Sequence, residues 1–511
     1  KTIFSRLTAR GQNMSALSLN NSTLSSFPTS ISVPRYNRQS LKAGIVHVGV
    51  GGFHRSHQAF YTDNYINHTG DLSWGICGIG LREADRAIKQ SLEAQDYLYS
   101  LLVKHPNGKT DTQIIGCLTD FLLAPDDPEA VINKMAAEET QIVSLTITEG
   151  GYNYDPSTGE FDFSNPDIKH DLANPNKPKL IFGYLAAALD RRRKSGQKPF
   201  TVQSCDNVQH NGDVIRKMLV TYISSYDSEL ADWVANQVSF PNAMVDRITP
   251  ATTDKDIALA EQLGVIDSWP VTCEPFHQWV IEDKFCQQRP AWEKVGAQIV
   301  NDVTPYETMK IRLLNASHTV MGILGSLRGY QTIEQTISDP LFATVVSNFM
   351  DNEVTPILDD VPGIDLSDYK RTLIARFANP NIKDSLARIC SQSASKVSTF
   401  LVPTIVENLK IGGNGAIANL VIAAWCLYSD THSSQQGQPL EVIDDMAETL
   451  QQAAHASRIS PLAFLEQPSI FGSIIENESF CNEYKYYISQ LYAGVAIEQI
   501  MEAVLSSYKA K

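Results

Sequence analysis

Gly44-Ile-Val-His-Val-Gly49-Val-Gly51-Gly52-Phe53-His54-Arg55 is the stretch whose reading decides the fold. The run from Ile45 to Val48 is mostly apolar, as suits a strand buried on both faces, and it ends in glycines that suit a tight turn. Residues 56–67 read as the helix that follows, and Trp74-Gly-Ile-Cys-Gly-Ile-Gly80 as a second strand. Strand, helix, strand is the opening of a doubly wound sheet. Further strands are expected at 142–148 and 200–205. The latter delivers Asp206 and Asn207 at its carboxyl end, the side on which open α/β sheets bind ligands.

Helical patterns dominate from about residue 304, at 305–328, 340–355, 383–391, 416–429 and 440–457. Residues 240–303 hold Pro241, Pro250, Pro270, Pro275 and Pro290 and read as a strand-and-loop bridge packed on the sheet domain. The expected fold class is therefore α/β. An N-terminal Rossmann-type doubly wound domain occupies 44–303, with 240–303 as its bridging segment, and a mostly α-helical domain occupies 304–511. Residues 1–43 read as an extension and lead-in. Of these, 1–13 carry Lys1, Arg6 and Arg10 without an acid, which suits a mitochondrial presequence, an extension ahead of Met14 or a remnant of expression. Residues 15–33 are expected to be mobile, and Ser433-Ser-Gln-Gln-Gly-Gln438 to be a surface loop.

The bulk numbers narrow the function classes. A chain of 511 residues suggests two to three domains. Hydrophobic content of 43% and charged content of 19% describe a soluble globular protein. Lys and Arg number 42 against 57 Asp and Glu, a net charge of −15, which argues against nucleic acid and anionic membrane as partners. Eight scattered cysteines with no C-x-x-C pair point to a reduced, cytoplasmic protein. No apolar run approaches the ~18 residues of a membrane span.

The glycine turn resembles a dinucleotide fingerprint, G-x-G-x-x-G, at Gly49 and Gly51, but its third small position is His54. Gly49 serves the tight turn. Gly51 lets backbone approach a pyrophosphate, Val50, Gly52 and Phe53 complete the loop, and Arg55 adds charge. The alternative is a glycine-rich turn with no ligand. His54 and His57 read more simply as packing residues than as acid–base groups. NAD enzymes carry an acid after the second strand to bond the ribose hydroxyls. Gly80-Leu-Arg-Glu-Ala-Asp-Arg86 supplies Glu83 first and Asp85 second, so NAD is the expected cofactor. Arg82 and Arg86 could instead hold a 2′-phosphate, and the bland reading is a charged helix start with local ion pairs.

A second stretch carries the chemistry. Lys310-Ile-Arg-Leu-Leu-Asn315-Ala-Ser-His318 sets an amine, an amide and an imidazole in a run that otherwise looks like a buried helix. Such groups are costly to bury without partners. A neutral lysine can act as a general base, an asparagine can donate to a carbonyl oxygen, and a histidine can orient either. On an ideal helix Asn315 stands about 140° from Lys310, His318 about 80° and Glu307 about 60°. All four can line one broad face. The bland reading is a surface helix with a Glu307–Lys310 pair. The chemical reading is proton removal from an alcohol while a hydride leaves for a nicotinamide.

The segments GIVHVGVGGFHRSHQAFY, SCDNVQHNG, PFHQWVIEDKF and PYETMKIRLLNASH resemble the long-chain polyol-specific (mannitol) dehydrogenase family, in order from about residue 44 to about 410. The resemblance implies a Rossmann-type domain, a helical domain and a site in the cleft between them. It implies Lys310 as general base, Asn207 and Asn315 as donors to a developing alkoxide, His318 as orienting group and Glu307 in the proton path. It also implies substrate contacts from Asp246, Arg388 and Lys396. Without it, Asp246-Arg247 would read as an ion pair in a loop, and Arg388 and Lys396 as a solvated helix edge. The family commonly has lysine where this chain has Gly150, which leaves the role of Glu149 open.

The implied reaction is that of an NAD-dependent polyol 2-dehydrogenase, D-mannitol to D-fructose, without a metal. The rival readings are a uronate reductase, an arabinitol dehydrogenase, a mannitol 1-phosphate dehydrogenase and a dinucleotide-binding sensor without catalysis. A zinc enzyme would need three protein ligands, and only the pairs Cys205/His210 and Cys273/His277 suggest themselves. A monomer would suffice, because every proposed site residue comes from one chain.

Overall fold

A computed structural model of the chain describes residues 16–154 and 158–509. The chain packs as two compact units. One holds the described residues through His105 together with Lys109–Asn301, and the other holds Pro106–Gly108 and the described residues from Asp302 on.

The first unit is built on five parallel strands, β1 (Ile45–Val48), β2 (Ile76–Gly80), β3 (Leu118–Leu123), β4 (Ile142–Leu145) and β5 (Thr201–Ser204). Their order is β3-β2-β1-β4-β5. The order reverses between β1 and β4, and ligands of doubly wound sheets bind outside the carboxyl ends at that point. Every residue of β1 is buried, which explains why the run shows no polar alternation. Its side chains still alternate between faces. Val46 and Val48 pack with Leu185, Leu189 and Met218 from the helices Ile181–Lys194 and Asn211–Ser224. Ile45 packs on the opposite face with Tyr61 and Ile66 of the helix Gln58–Thr69.

Two further sheets, of four and three strands, belong to the same unit. The first runs Val271–Cys273, Tyr99–Lys104, Thr110–Ile115, Ile31–Ser32, and the second runs Ala243–Asp246, Gln278–Glu282, Gln298–Val300. The expectation of a mobile lead-in fails over 16–33. Leu17–Ser18 pairs in parallel with Val265–Ile266, and Leu19 and Ile31 are buried with Leu98, Ile114 and Val265. Residues 1–13 lie outside the described residues.

The second unit is helical. Thr304–Lys310 and Ala316–Arg328 are α-helices joined without a break by a π-helical turn, Ile311–Asn315. Two further π-helical segments occur at Phe349–Val354 and Val397–Leu401. The helix Ala416–Thr431 is buried on all sides except at Thr431, as its nearly unbroken apolar sequence requires. The expected helix at 383–391 starts only at Leu386, because Lys383 has φ of 50° and Ser385 caps the first turn. The expected helix at 440–457 starts only at Ala447. The 433–438 loop is anchored rather than merely exposed, since Gln435 donates to Leu327 O and Val495 O and accepts from Ile497 N–H. Among the described residues no helix is long and apolar enough to cross a membrane.

Candidate active site

The turn after β1 is shaped by two glycines with different jobs. Gly49 has φ of +93°, and a Cβ there would lie 2.1 Å from the Thr146 carbonyl oxygen, so only glycine fits. Gly51 is exposed, and a Cβ on it would meet nothing within 4 Å. Gly52–Ser56 then begins a helical turn whose first N–H groups have no preceding turn to bond. An open backbone cradle with free donors fits a dinucleotide pyrophosphate. Val50 is buried and packs closely on Gly78 of β2, and Phe53 stacks on His57.

The departure from the fingerprint at its third position has a physical reason. A small residue there lets the helix pack closely on the strand. Here the flat ring of His54 does so, lying parallel to the His47 ring with centroids 3.4 Å apart. His54 and Arg55 are buried and do not line the open face of the turn. Arg55 donates to Trp269 O at 2.5 Å and lies 5.2 Å over the Tyr99 ring. It therefore braces the turn from behind instead of presenting charge to a phosphate. His57 is also buried, bonded to Gln278 O at 2.8 Å, and burial pushes it down to about 3. Both histidines pack, as the simpler reading had it.

Glu83 and Asp85 follow β2 in a short 3-10 turn. Glu83 is exposed and paired with Arg86 at 2.5 Å, which holds its carboxyl below the ordinary range, and Arg86 also reaches Asp126 at 2.6 Å. Asp85 accepts from Arg82 N–H at 3.0 Å and so closes the start of this turn. The local ion pairs of the bland reading are present, and Glu83 keeps its exposed position beyond β2.

Asn207 is exposed just beyond β5, next to a residue whose role the sequence did not reveal. Asp206 accepts from Ile147 N–H at 3.0 Å, Thr148 N–H at 2.9 Å and the Tyr152 hydroxyl at 2.7 Å. These bonds hold Thr148 at φ of +61°, an uncommon conformation for a β-branched residue. Burial pushes Asp206 up to about 6 against the pull of its donors. The only signal for it was an acid beside Asn207 at a strand end. Glu149 is exposed in the same segment, and a side chain on Gly150 would point into open space. The absence of lysine there is thus no matter of room. Asp246 is buried and ends the strand Ala243–Asp246. Arg247 donates to Ser56 O at 2.7 Å and Glu274 O at 3.1 Å and lies 4.5 Å over the Phe60 ring. Asp246 thus closes a strand, and Arg247 follows it.

In the second unit Glu307, Lys310 and His318 are buried, at 3%, 5% and 9% exposure, and Asn315 is half-buried. Ala316 N–H donates to Ile311 O, five residues back. A turn closed this way holds more residues than an α-helical one, so each residue turns through less than the ~100° of a regular helix. Lys310 and Asn315, about 140° apart on an ideal helix, are drawn toward the same side. Nothing in the residue types announced this turn. Asn315 Oδ1 and Ser317 Oγ are buried with no hydrogen-bond partner among the described residues, a cost that marks this helix as functional ground. The His318 ring sits 4.9 Å from that of Phe377, and Arg312 ties the helix to Glu407 at 2.9 Å.

Lys396 immediately precedes the π-helical segment Val397–Leu401 and donates to Ile389 O at 2.8 Å and Arg388 O at 3.2 Å. Arg388 is exposed and paired with Asp384 at 2.5 Å. The two residues are thus brought side by side, each with a partner within the unit. Among the described residues no group of three or more His, Cys, Asp or Glu side chains is placed to hold a metal ion.

Comparison with known proteins follows from these features. Residues 43–294 match the mannitol dehydrogenase Rossmann domain, and residues 302–492 match the mannitol dehydrogenase C-terminal domain. The chain is 45% identical over 480 residues to mannitol 2-dehydrogenase of Phaeosphaeria nodorum, covering 93% of this chain and 84% of that one. It is 44% identical over 476 residues to mannitol 2-dehydrogenase of Aspergillus fumigatus, covering 91% and 94%. The structure of Pseudomonas fluorescens mannitol 2-dehydrogenase in ternary complex with NAD and D-mannitol aligns with a TM-score of 0.89 at 45% identity, over 96% of this chain and 100% of that one. A D-sorbitol dehydrogenase in substrate-free form aligns with a TM-score of 0.85 at 36% identity, over 94% and 99%. With both units matched and relatives this similar along nearly its whole length, the chain belongs to the mannitol dehydrogenase family.

Proposed function

We propose that this protein oxidises D-mannitol at C2 to D-fructose, with NAD reduced to NADH and one proton released. The observation that carries this reading is the buried Lys310 set one π-helical turn before Asn315, in a chain 45% identical to a mannitol 2-dehydrogenase solved with NAD and D-mannitol. NAD, when bound, supplies the hydride acceptor. Its pyrophosphate fits the cradle of Gly49, Val50, Gly51, Gly52 and Phe53, and Glu83 accepts from ribose hydroxyls.

An alcohol gives up a hydride only as its proton leaves. Lys310, as the neutral amine, takes the proton of the reacting hydroxyl. The amide N–H groups of Asn315 and Asn207 donate to the oxygen as negative charge develops on it. Glu307, three residues before the lysine, passes the proton on, and His318 orients the lysine or the asparagine. Asp246, Arg388 and Lys396 bond the remaining hydroxyls. The domain assignment follows from these roles, with nucleotide binding in 44–303 and the base in 304–511. The same reading has the enzyme act in the cytoplasm as a monomer on a polyol and its ketose, without nucleic acid or membrane. Its net charge of −15 and eight free cysteines support that reading.

A related polyol as preferred substrate is the second reading, favoured by the likeness to a D-sorbitol dehydrogenase. Rates of NADH formation from mannitol, arabinitol, sorbitol and mannitol 1-phosphate, and of NADH consumption by fructose and fructuronate, decide between them. The highest kcat/KM with mannitol and fructose is expected. A clear preference for another pair would replace the substrate, and no turnover with any would overturn the function.

A further inference from the structure

The nucleotide turn is underpinned by a buried polar cluster that no role proposed so far uses. His47 lies at the centre of the parallel sheet and is wholly buried. Its Nε2 lies 2.8 Å from Thr146 Oγ1 and 3.2 Å from Gly49 O, and its Nδ1 lies 2.7 Å from Ser144 Oγ. The Thr146 hydroxyl donates to the same Gly49 carbonyl at 2.6 Å. The Ser144 hydroxyl gives its one proton to Gln58 Oε1 at 2.8 Å, so His47 Nδ1 carries the ring proton and donates to Ser144 Oγ, and the Thr146 hydroxyl stands between Nε2 and the Gly49 carbonyl. Burial pushes His47 down to about 3, so the ring is neutral at ordinary pH.

His54 closes the other end of the turn. It is wholly buried, neither ring nitrogen has a hydrogen-bond partner among the described residues, and its face lies on that of His47 at an interplanar angle of 10°. A buried imidazole without partners is costly, and a leucine or phenylalanine would avoid that cost. What the ring contributes is a thin flat face at the place where the fingerprint otherwise needs glycine. The stack joins residue 47, at the end of the strand, to residue 54, in the helical turn, across the whole loop between them.

We infer that His47, with Thr146 and the His54 ring, is a positioning residue for the cofactor. Through the Thr146 hydroxyl it fixes the Gly49 carbonyl, which also accepts from Gly51 N–H at 2.8 Å, and with it the direction in which the Gly52–Phe53 backbone faces a pyrophosphate. This inference rests on the NAD-binding reading above. His47 touches neither cofactor nor substrate, and its effect is on cofactor affinity.

The test is NADH titration by fluorescence, with steady-state kinetics beside it, on wild type, His47→Phe, His47→Gln and Thr146→Val. Gln keeps a polar group in reach of the Thr146 hydroxyl, whereas Phe keeps only the flat face. His47→Phe and Thr146→Val are expected to raise the NADH Kd about tenfold, the scale of one lost hydrogen bond. The polyol KM should stay within about twofold, and His47→Gln should recover most of the affinity. Unchanged NADH affinity in folded Thr146→Val and His47→Phe would overturn the inference. So would equal losses in NADH affinity, polyol KM and kcat, which mark a general structural role. If His47→Phe does not fold, Thr146→Val decides alone. If wild type itself fails to bind NADH, the functional reading is wrong and the inference falls with it.

Discussion

Ala316 N–H donates to the carbonyl oxygen of Ile311, five residues back. That bond inserts one π-helical turn between Lys310 and the helix Ala316–Arg328. It rotates Asn315 toward the side of Lys310, which a regular helix would not do. Single π turns inside α-helices are found frequently at functional sites. In the proposed mechanism the turn separates a base from a donor to the oxygen it deprotonates.

Lys310→Ala should slow polyol oxidation by about 10²–10⁴, the range for loss of a general base, while the NADH Kd stays near that of wild type. Asn207→Ala and Asn315→Ala should each lower kcat by about 10²–10³, as expected for loss of a donor to an oxyanion. If both act on one oxygen, as proposed, the double variant should lose less than the product. Single-turnover rates in folded protein check this, and near-wild-type turnover in Lys310→Ala would remove the lysine from the mechanism.

Gly49→Ala and Gly51→Ala should separate stability from binding. Alanine at 49 meets the Thr146 carbonyl at 2.1 Å in a conformation that disfavours side chains. Stability should fall by at least ~1–2 kcal/mol, and NADH affinity should fall with it. Alanine at 51 projects into open space, so the urea midpoint should hold while NADH binding weakens. Equal behaviour of the two variants would contradict the cradle.

Glu83→Ala should shift cofactor preference from NAD toward NADP by about tenfold, the scale of one charge-assisted bond. The structure adds a reason beyond the lost carboxylate. Arg86, paired with Glu83 at 2.5 Å, would be released toward a 2′-phosphate, with Asp126 as its remaining partner. The ratio of kcat/KM values for the two cofactors measures this. An unchanged ratio would transfer the role to Asp85.

Glu353 should make the second unit's stability depend on pH. It is wholly buried and accepts from Ile417 N–H at 2.6 Å, Ala418 N–H at 3.0 Å and the Tyr508 hydroxyl. Burial pushes it from 4.5 up to about 7 in spite of these donors. A carboxyl raised in the folded state contributes stability that is complete below pH 4.5 and is lost as pH rises through about 7. The unfolding free energy of wild type relative to Glu353→Gln should therefore fall across that window, by on the order of 1–3 kcal/mol. Urea denaturation of both proteins at its two ends reads the difference, and a flat or rising difference would contradict the assignment.

Period and punctuation carried much of this molecule. The apolar run before Gly49 and the strands at β2, β4 and β5 were legible, because a strand buried on both faces has no polar alternation to hide it. The two glycines stood out as turn formers, and Lys310, Asn315 and His318 stood out because such groups are costly to bury without partners. The packed lead-in at 16–33 was not legible. Its strands are two residues long and take their partners, Val265–Ile266 and Thr112–Gln113, from distant parts of the chain.

Other features were decided by tertiary structure alone. Arg55 looked like a phosphate contact, but Trp269 O and the Tyr99 ring turn it inward. His54 looked like a defect in the fingerprint, but its ring stacks on His47 and does the close packing itself. The π-helical turn changes which face Asn315 occupies without changing a residue type. Composition and spacing determine which elements form and which groups they carry, because those follow from local sterics and burial. The direction of each group depends on partners distant in sequence, and only the folded chain supplies them.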